Sequence, residues 1–348
     1  MGADDGDDDG AQGGPPNIMF VTSTTQVVGS LGGLLGADDV CAQRALAARL
    51  PGTYVAYLST TSVDARDRLA GSRGWVRTDG LPFVDTVEDL IAGRLWYPPR
   101  LDEGGIELTS APVSAQPIVT GTTATGTIEN SGSLTTCSDW TAPTTGVNAV
   151  GGSAHATGSS WTRSIAIDCA QAARLYCFGV GAQVAVAPVL VTGRLAFLSS
   201  PWIPGGGRGD ADAHCQTDGA ALGRTFLALL PVLGSAAVAR FDTGGAPWVR
   251  VDGVPIVATA SDLPISRLAA PLNRLPDGSA IVATGFPRTW TGEASPAAVP
   301  ATAPCQDWVS SMLTESTGCG EENFATADFF TGCGAACSTM QRLYCLEP

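Results

Sequence analysis

The sequence of 348 residues contains no lysine, so arginine alone supplies its positive charge. The absence of lysine excludes Schiff-base chemistry and the phosphate-binding lysine of a P-loop. Only two histidines, His155 and His214, are available as nitrogen ligands or acid–base groups. The net charge of −14 opposes binding to nucleic acids and anionic membranes, because phosphate groups would be repelled. We therefore expect no nucleic-acid partner.

Long apolar runs and catalytic motifs are also missing. The longest apolar stretch, residues 226–239, is interrupted by Pro231 and Gly234, so membrane insertion is not expected. No signal peptide is recognisable, and we expect that the mature sequence begins after one was removed. The motifs of serine hydrolases, zinc proteases and dinucleotide-binding folds are absent. These absences favour a protein with no catalytic activity and no cofactor.

Ten cysteines are present, and none has the C-x-x-C spacing of common zinc sites. A reducing cytosol would keep so many thiols unpaired, so an even number of this size indicates disulfides formed in an oxidising compartment. We expect a secreted or cell-surface protein. A periplasmic location and an outer-membrane tether are both compatible with that prediction.

Residues 1–16 combine five aspartates with glycines and two prolines. Such a segment cannot bury apolar surface and repels itself, which predicts a solvated, disordered acidic leader. A surface tether or spacer is the role that this composition favours.

The remainder of the chain repeats. The tryptophan-led segment 75–82 recurs as 248–255, and Cys137, Cys169 and Cys177 each recur 168 residues later. Two long copies indicate a domain duplication rather than a solenoid. We predict a first domain at 17–180, a linker at 181–188 and a second domain at 189–348.

The pattern within each unit predicts an α+β fold. Residues 38–50 predict a helix with Asp38 or Asp39 as its N-cap, and 210–222 predict a weaker one capped by Asp210. Asp210 also ends an Arg-Gly-Asp tripeptide of the kind that integrins read, but the N-cap explains it better. Residues 86–92 predict a short helix.

Short apolar segments predict the strands of each unit, with hairpins that turn at Asp79-Gly80 and Asp252-Gly253. Trp75 and Trp248 open these hairpins and are expected in the core. The long Gly/Ser/Thr-rich segments 120–164 and 284–331 show little regular patterning, which in a compact domain indicates functional or cross-linked loops. The other predicted strands are 17–23, 53–59, 175–178, 190–199, 225–230 and 343–346.

Each unit resembles the endostatin domain of certain collagens and related bacterial cell-surface repeats, which share the C-type-lectin-like fold. The resemblance covers 17–180 and 189–348. It rests on four cysteines in register, a tryptophan three residues after the second of them, and the Leu-Tyr-Cys ending of both units. It implies two C-type-lectin-like domains in tandem. The heparin-binding arginine patch, the histidine zinc site and the calcium-dependent sugar motifs of related proteins have no match here.

The resemblance also implies the disulfide pairing, which spacing alone leaves open because four cysteines allow three connectivities. A nested pattern would join the first cysteine of each unit to the last and the second to the third. Cys319 and Cys333, which have no counterpart in the first unit, would then pair with each other. The implied bridges are Cys41–Cys177, Cys137–Cys169, Cys215–Cys345, Cys305–Cys337 and Cys319–Cys333.

Two sets of residues are candidate binding sites. Asp139 with Trp140, and Asp307 with Trp308, place a carboxylate beside an aromatic ring, which suits a sugar or a cation. Alternatively, the tryptophan packs under the loop and the aspartate caps a turn. A cluster of oxygen-bearing side chains between Cys319 and Cys333 could hold calcium, although a solvated face is the more common outcome for such clusters. This second set comprises Glu321, Glu322, Asn323 and Asp328.

These features favour a binding or adhesion module on a bacterial surface. Its ligand, a glycan or a matrix or surface protein, would be presented to the long disulfide-closed loops. The alternatives are a calcium-dependent, carbohydrate-binding lectin with a non-standard site, and a structural spacer of the cell envelope.

Overall fold

The computed structural model describes residues 14–109, 116–281 and 288–348, so nearly all of the predicted acidic leader lies outside the described residues. The described chain is α+β, and its two halves have matching strand orders. No helix among the described residues is long and apolar enough to span a bilayer.

Within its described residues, the first unit contains ten strands, two α-helices and one four-residue helical turn. The strands are β1 Asn17–Val21, β2 Gln26–Val27, β3 Thr53–Ala56, β4 Trp75–Val76, β5 Pro82–Val84, β6 Ile118–Val119, β7 Asn148–Gly152, β8 Ile165–Asp168, β9 Ala172–Ala173 and β10 Tyr176–Val180. The helices are α1 Gly33–Ala47 and α2 Val87–Ile91, and the turn is α3 Cys137–Trp140.

The second unit repeats this plan with fewer strands. The strands are β11 Arg194–Leu198, β12 Leu227–Ala228, β13 Trp248–Arg250, β14 Thr289–Trp290, β15 Ser316–Gly320, β16 Cys333–Ala336 and β17 Tyr344–Leu346. The helices are α4 Gly207–Asp218 and α6 Asp328–Thr331, and the turn is α5 Cys305–Trp308.

The four strands of the second unit's central sheet correspond to four of the five strands in the first unit's sheet. The order is β3-β10-β1-β4-β5 in the first unit and β12-β17-β11-β13 in the second. In each, the first strand of the unit pairs antiparallel with the last and parallel with the tryptophan-led strand. Trp75 and Trp248 are fully buried, as predicted, and each indole N–H donates to a backbone carbonyl oxygen. Both hairpins turn at the predicted Asp-Gly pairs, where the glycine φ is +81° and +79°.

The predicted N-caps are wrong. Helix α1 begins at Gly33, five residues before Asp38, and α4 begins at Gly207, three residues before Asp210. The Asp38 carboxylate instead accepts the Ala56 N–H at 2.8 Å and binds Arg68 at 2.5 Å, which fastens the helix to β3. The sequence pattern suggested a cap because an aspartate before an apolar run is a preferred N-cap, and the same aspartate can equally bind a neighbouring element.

Asp210 and Asp212 also act inside the helix rather than at its end. Asp210 accepts the indole N–H of Trp202 at 2.9 Å, within the first turn of α4. Asp212 accepts the Ala228 N–H and binds Arg240, repeating the role of Asp38. The segment 210–222, predicted as one helix, forms two elements: it belongs to α4 as far as Asp218, and a separate 3₁₀ turn follows at Ala220–Leu222.

The prediction of little regular structure in the long polar segments is also wrong. Each contributes to a second, three-stranded sheet, β6-β7-β8 in the first unit and β14-β15-β16 in the second. The strands were not recognised because glycines interrupt their apolar pattern. At Gly152 a Cβ atom would stand 1.8 Å from the Trp161 carbonyl oxygen, so only glycine permits this packing.

All five implied disulfides form, and none of the ten cysteines is free. The outer bridges Cys41–Cys177 and Cys215–Cys345 tie each long helix to the final strand of its unit. The inner bridges Cys137–Cys169 and Cys305–Cys337 each span 32 residues of a long segment. Cys319–Cys333 joins β15 to β16.

The two units contact each other through interactions that the repeat duplicates. Ala156 forms an antiparallel bridge with Phe324, its equivalent 168 residues later. Two backbone hydrogen bonds of 2.9 Å flank this bridge. The Thr157 N–H donates to the Asn323 carbonyl oxygen, and the Ala325 N–H donates to the His155 carbonyl oxygen. Reciprocal contacts between equivalent residues define a pseudo-two-fold relation.

Two arginines extend the same relation. Arg100 Nη1 donates to the Leu268 carbonyl oxygen at 2.8 Å, and Arg274 Nη2 donates to the Leu95 carbonyl oxygen at 2.9 Å. Leu95 and Leu268 are equivalent because each directly follows an arginine. Arg100 and Arg274 are equivalent because each is the next arginine in the sequence, five residues after Leu95 and six residues after Leu268. Tyr97, Val254 and Ala270 form a small apolar cluster beside these contacts.

Candidate functional site

The predicted aspartate–tryptophan pairs lie in turns of unusual backbone conformation. All four residues of α3 and all four of α5 have positive φ, between 42° and 70°, although none is glycine. A left-handed conformation costs roughly 1–2 kcal/mol per L-residue, so surrounding contacts must hold these turns. The inner disulfide of each unit begins in the turn, and the tryptophan that ends it is fully buried.

The tryptophans of these pairs do not offer a ring face to a ligand. The indole N–H of Trp140 donates to the Ser59 carbonyl oxygen at 2.9 Å, and that of Trp308 donates to the Pro231 carbonyl oxygen at 2.7 Å. Both rings are fully buried, packed beneath the loop. This geometry corresponds to the alternative, structural interpretation of the motif.

The aspartates bind neighbouring loops. Asp139 accepts the Thr61 hydroxyl at 2.6 Å, the backbone N–H of Thr61 at 2.9 Å and the Thr136 hydroxyl at 2.8 Å. Partial burial opposes ionisation, but these donors outweigh it and hold the pKa of Asp139 below its usual range. Asp307 accepts the Leu233 N–H at 2.7 Å in the second unit. Both carboxylates are therefore engaged within the protein.

A substitution at Ser138 tests the strain in the first turn. Ser138 is exposed and has φ +54°, so replacing it with glycine removes a steric cost without removing a buried contact. We expect Ser138→Gly to raise the free energy of unfolding by about 1 kcal/mol. Ser138→Ala is the control, because it retains the Cβ atom. Urea titrations that found no difference between the two variants would contradict the assigned strain.

The predicted metal candidates do not form one ligand cluster. Among the described residues, no three or more His, Cys, Asp or Glu side chains converge as a metal site. Asn323 accepts a hydrogen bond from Asn273 at 3.0 Å at the inter-unit contact. Glu322 is fully buried, and Asp328 accepts the Thr326 hydroxyl.

The two glutamates have strongly raised pKa values. Burial raises the pKa of Glu322 to about 7, although Arg342 and the Thr289 hydroxyl oppose the shift. Burial and the neighbouring Asp328 carboxylate raise the pKa of Glu321 to about 7. The position equivalent to Glu322 in the first unit is Ala154, so this buried acid is specific to the second unit.

The Glu322 carboxyl predicts a pH-dependent stability. Its folded-state pKa of about 7 exceeds the ordinary value of 4.5, so the folded chain binds more protons and stability falls as pH rises from about 4.5 to 7. We expect Glu322→Gln to stabilise the protein by about 2–3 kcal/mol at pH 8 and to change little at pH 4.5. Urea unfolding at both pH values measures this.

Glu129→Gln is the matched control. Glu129 is also buried, and burial opposes its ionisation, but bonds from Ser131 and Arg163 outweigh this and lower its pKa. Its substitution should therefore destabilise the protein at neutral pH rather than stabilise it. Equal effects of the two substitutions at pH 8 would contradict the assigned environments.

The structure brings together a serine, a histidine and an aspartate that no sequence motif had linked. The Ser200 hydroxyl lies 3.0 Å from His214 Nε2 and 3.2 Å from an Asp218 carboxylate oxygen. In a catalytic triad the serine and the aspartate contact opposite nitrogens of the imidazole. Here Asp218 lies 3.6 Å from the same Nε2, so the cluster lacks the geometry that activates a serine. Its contacts fasten the end of β11 to α4.

A polar cleft lies between the two units and was not predicted. Its volume is about 520 Å³, which is within the range of small-molecule sites. His155 of the first long segment lines it, as do Ala325, Thr326 and Ala327 of the second. The other lining residues are Arg100, Glu107, Leu108, Thr109, Ile265, Ser266, Arg267 and Leu268. No local sequence pattern joins residues so far apart in the chain.

The cleft is lined by more positive than negative side chains, although the whole chain has a net charge of −14. Arg100 and Arg267 are opposed by one lining carboxylate, Glu107, whose oxygen lies 3.1 Å from Arg100 Nε. His155 Nε2 lies 3.2 Å from the Thr109 carbonyl oxygen. Burial and the Arg100 charge lower the pKa of His155, so its imidazole is neutral at neutral pH.

Comparison with known proteins adds no family. The chain matches no protein-family model, and no curated protein is similar to it at a significant level. The endostatin-like and C-type-lectin-like assignment therefore stays a prediction.

Proposed function

We propose that this chain is an extracellular or cell-surface binding module, built from two C-type-lectin-like domains, with no catalytic activity. The ligand binds between the long disulfide-closed loops of the two units. The observation that carries this proposal is the inter-unit cleft, which both loops line. Sites between domains are common positions for small-molecule recognition.

The disulfides support the location and the rigidity of such a site. Five bridges without a free thiol are typical of proteins that mature in an oxidising compartment. His155 lies between Cys137 and Cys169, and Ala325–Ala327 lie between Cys305 and Cys337. Closed loops lose less conformational entropy on binding, so the bridges favour recognition.

The Ser200–His214–Asp218 geometry supports the absence of catalysis, because it cannot generate a serine nucleophile. The calcium-dependent lectin has less support than the proposed module, since Asn323 is engaged at the interface and Glu322 is buried. A calcium titration followed by melting temperature decides between them. A rise in melting temperature at millimolar calcium would favour the lectin.

An array of glycans and matrix proteins, probed with the full chain, tests the proposed function. We expect saturable binding to at least one class of ligand. Ala327→Trp should abolish it, because Ala327 is exposed and its side chain borders the cleft. Ala47→Trp is the control, since Ala47 is exposed on α1 and does not line the cleft. No saturable ligand on the array would contradict the proposal and favour a structural spacer.

A further inference from the structure

The two units form the same serine–carboxylate contact with carboxylates from different elements. In the first unit Ser23 donates its backbone N–H and its hydroxyl to Glu103, which belongs to the turn 102–105. In the second unit Ser200 donates the same two groups to Asp218 of α4. The serines are equivalent, because each lies two residues after the end of the first strand of its unit.

The first unit completes this contact with a guanidinium group. Arg44 Nε donates to Glu103 at 2.6 Å, and Arg44 Nη2 donates to the Ser23 hydroxyl at 2.7 Å. Arg44 and Asp218 are equivalent, because each lies three residues after the helical cysteine of the outer disulfide. The second unit therefore has an acid where the first has its arginine.

An open pocket of about 420 Å³ lies at this position in the second unit. Asp277 is exposed and the Asp218 side chain is 18% exposed, so both carboxylates can meet a ligand. No arginine among the described residues forms an ion pair with either of them. The pocket is lined by Ser200, Pro201, Asp218, Leu275, Pro276, Asp277 and Arg342.

Arg342 lines the pocket but leaves room for a second cation. Its Nη1 donates to the Ser199 carbonyl oxygen at 2.7 Å. The equivalent Arg174 donates to the Thr22 carbonyl oxygen at 2.6 Å, next to the serine that binds Arg44. The first unit thus holds two guanidinium groups at adjacent residues, whereas the second unit holds one.

We infer that this pocket of the second unit binds a guanidinium group, of the kind that an arginine side chain presents. The guanidinium donates to Asp218 and to Asp277 at the rim. One oxygen of Glu103 accepts from both a serine and an arginine, so the Asp218 oxygens retain acceptor capacity beside Ser200. Leu275 and Pro276 suit the methylene groups of the side chain.

The inference does not depend on the proposed function, because the pocket and the inter-unit cleft share no lining residue. Isothermal titration of the full chain with the acetylated, amidated peptide Gly-Arg-Gly tests it, with Gly-Lys-Gly as the comparison. We expect the arginine peptide to bind in a 1:1 ratio and the lysine peptide to bind at least ~10-fold more weakly, because only a guanidinium forms two parallel bonds to one carboxylate.

Asp277→Asn should weaken binding of the arginine peptide by about 3- to 5-fold, the range of exposed ion pairs. Asp242→Asn is the matched control. Asp242 is also exposed and accepts a backbone N–H two residues later, as Asp277 does, but it does not line the pocket. Its substitution removes the same charge from the same unit and should leave the affinity unchanged.

A double variant, Asp218→Arg with Pro276→Glu, introduces the first unit's own ion pair. Glu103 and Pro276 are equivalent, because each is the second residue of a turn closed by a glycine N–H. We expect this variant to bind no arginine peptide and to keep the melting temperature of the original chain. A loss of folding would show in that temperature, and Asp277→Asn then decides the matter alone.

An arginine peptide that gives no binding heat, a lysine peptide that binds equally well, or an Asp277→Asn variant with unchanged affinity would each overturn the inference. A folded double variant that still binds would also overturn it. Free L-arginine distinguishes the source of the group. Tighter binding of the peptide identifies a polypeptide partner, and tighter binding of the amino acid identifies a small-molecule ligand; both support the guanidinium site.

Discussion

Replacing Cys41 and Cys177 together with alanine is expected to lower the free energy of unfolding by about 5 kcal/mol. The bridge spans 136 residues, and closing a loop of that length removes much of the conformational entropy of the unfolded chain. Both cysteines are fully buried between α1 and β10, so the substitution also removes packed sulfur atoms. Urea unfolding of oxidised protein, followed by tryptophan fluorescence, measures the loss.

The Cys319–Cys333 bridge is the matched comparison. It spans only 14 residues, and the same chain-entropy model assigns it about 3 kcal/mol. The double alanine variant at these positions should therefore be less destabilised than the Cys41/Cys177 variant. Equal losses, or no loss at Cys41 and Cys177, would contradict the assigned role of the outer bridge.

The second large effect is expected at Arg250, whose side chain is completely buried. Its Nε and Nη2 bind the Asp252 carboxylate at 2.9 and 2.7 Å. Its Nη1 donates to the Pro271 carbonyl oxygen and, across the interface, to that of Trp96. Arg250→Ala would leave the Asp252 carboxylate with Arg274 alone, whose Nε lies 3.1 Å away. Breaking a buried ion pair in this way should cost about 3–5 kcal/mol.

Arg77→Ala is the control for the interface. Arg77 repeats the arrangement with Asp79 and the Pro98 carbonyl oxygen, but those contacts stay within its own unit. The Asp79 carboxylate is also 37% exposed, so water can solvate it when the arginine is removed. We expect a smaller loss for Arg77→Ala. Only Arg250→Ala should separate the unfolding of the two units into distinct transitions in urea.

Local signals predicted the parts of the fold that depend on short segments. The repeated cysteines indicated the duplication, and the Asp-Gly pairs indicated both hairpins. Trp75 and Trp248 were recognisable as core residues because each opens a strand. The pairing of the cysteines came from family resemblance, and spacing could not have provided it.

The remaining features depend on contacts that no local pattern encodes. Helix α1 begins five residues before Asp38, whose carboxylate accepts a backbone N–H of β3 and does not cap the helix. The second sheets were not recognised because Gly151 and Gly152 permit close backbone approach while weakening the strand signal. The cleft brings His155 together with Ser266 and Arg267, which lie more than a hundred residues away in the sequence.

Peptide mapping without reduction, on protein isolated with its thiols blocked, tests most directly the claim that two disulfide-locked copies form in an oxidising compartment. We expect no blocked thiols and five cross-linked peptide pairs, with Cys41 joined to Cys177 and Cys215 to Cys345. Cys41 joined to Cys137, or thiols free throughout the chain, would contradict both the architecture and the extracellular location.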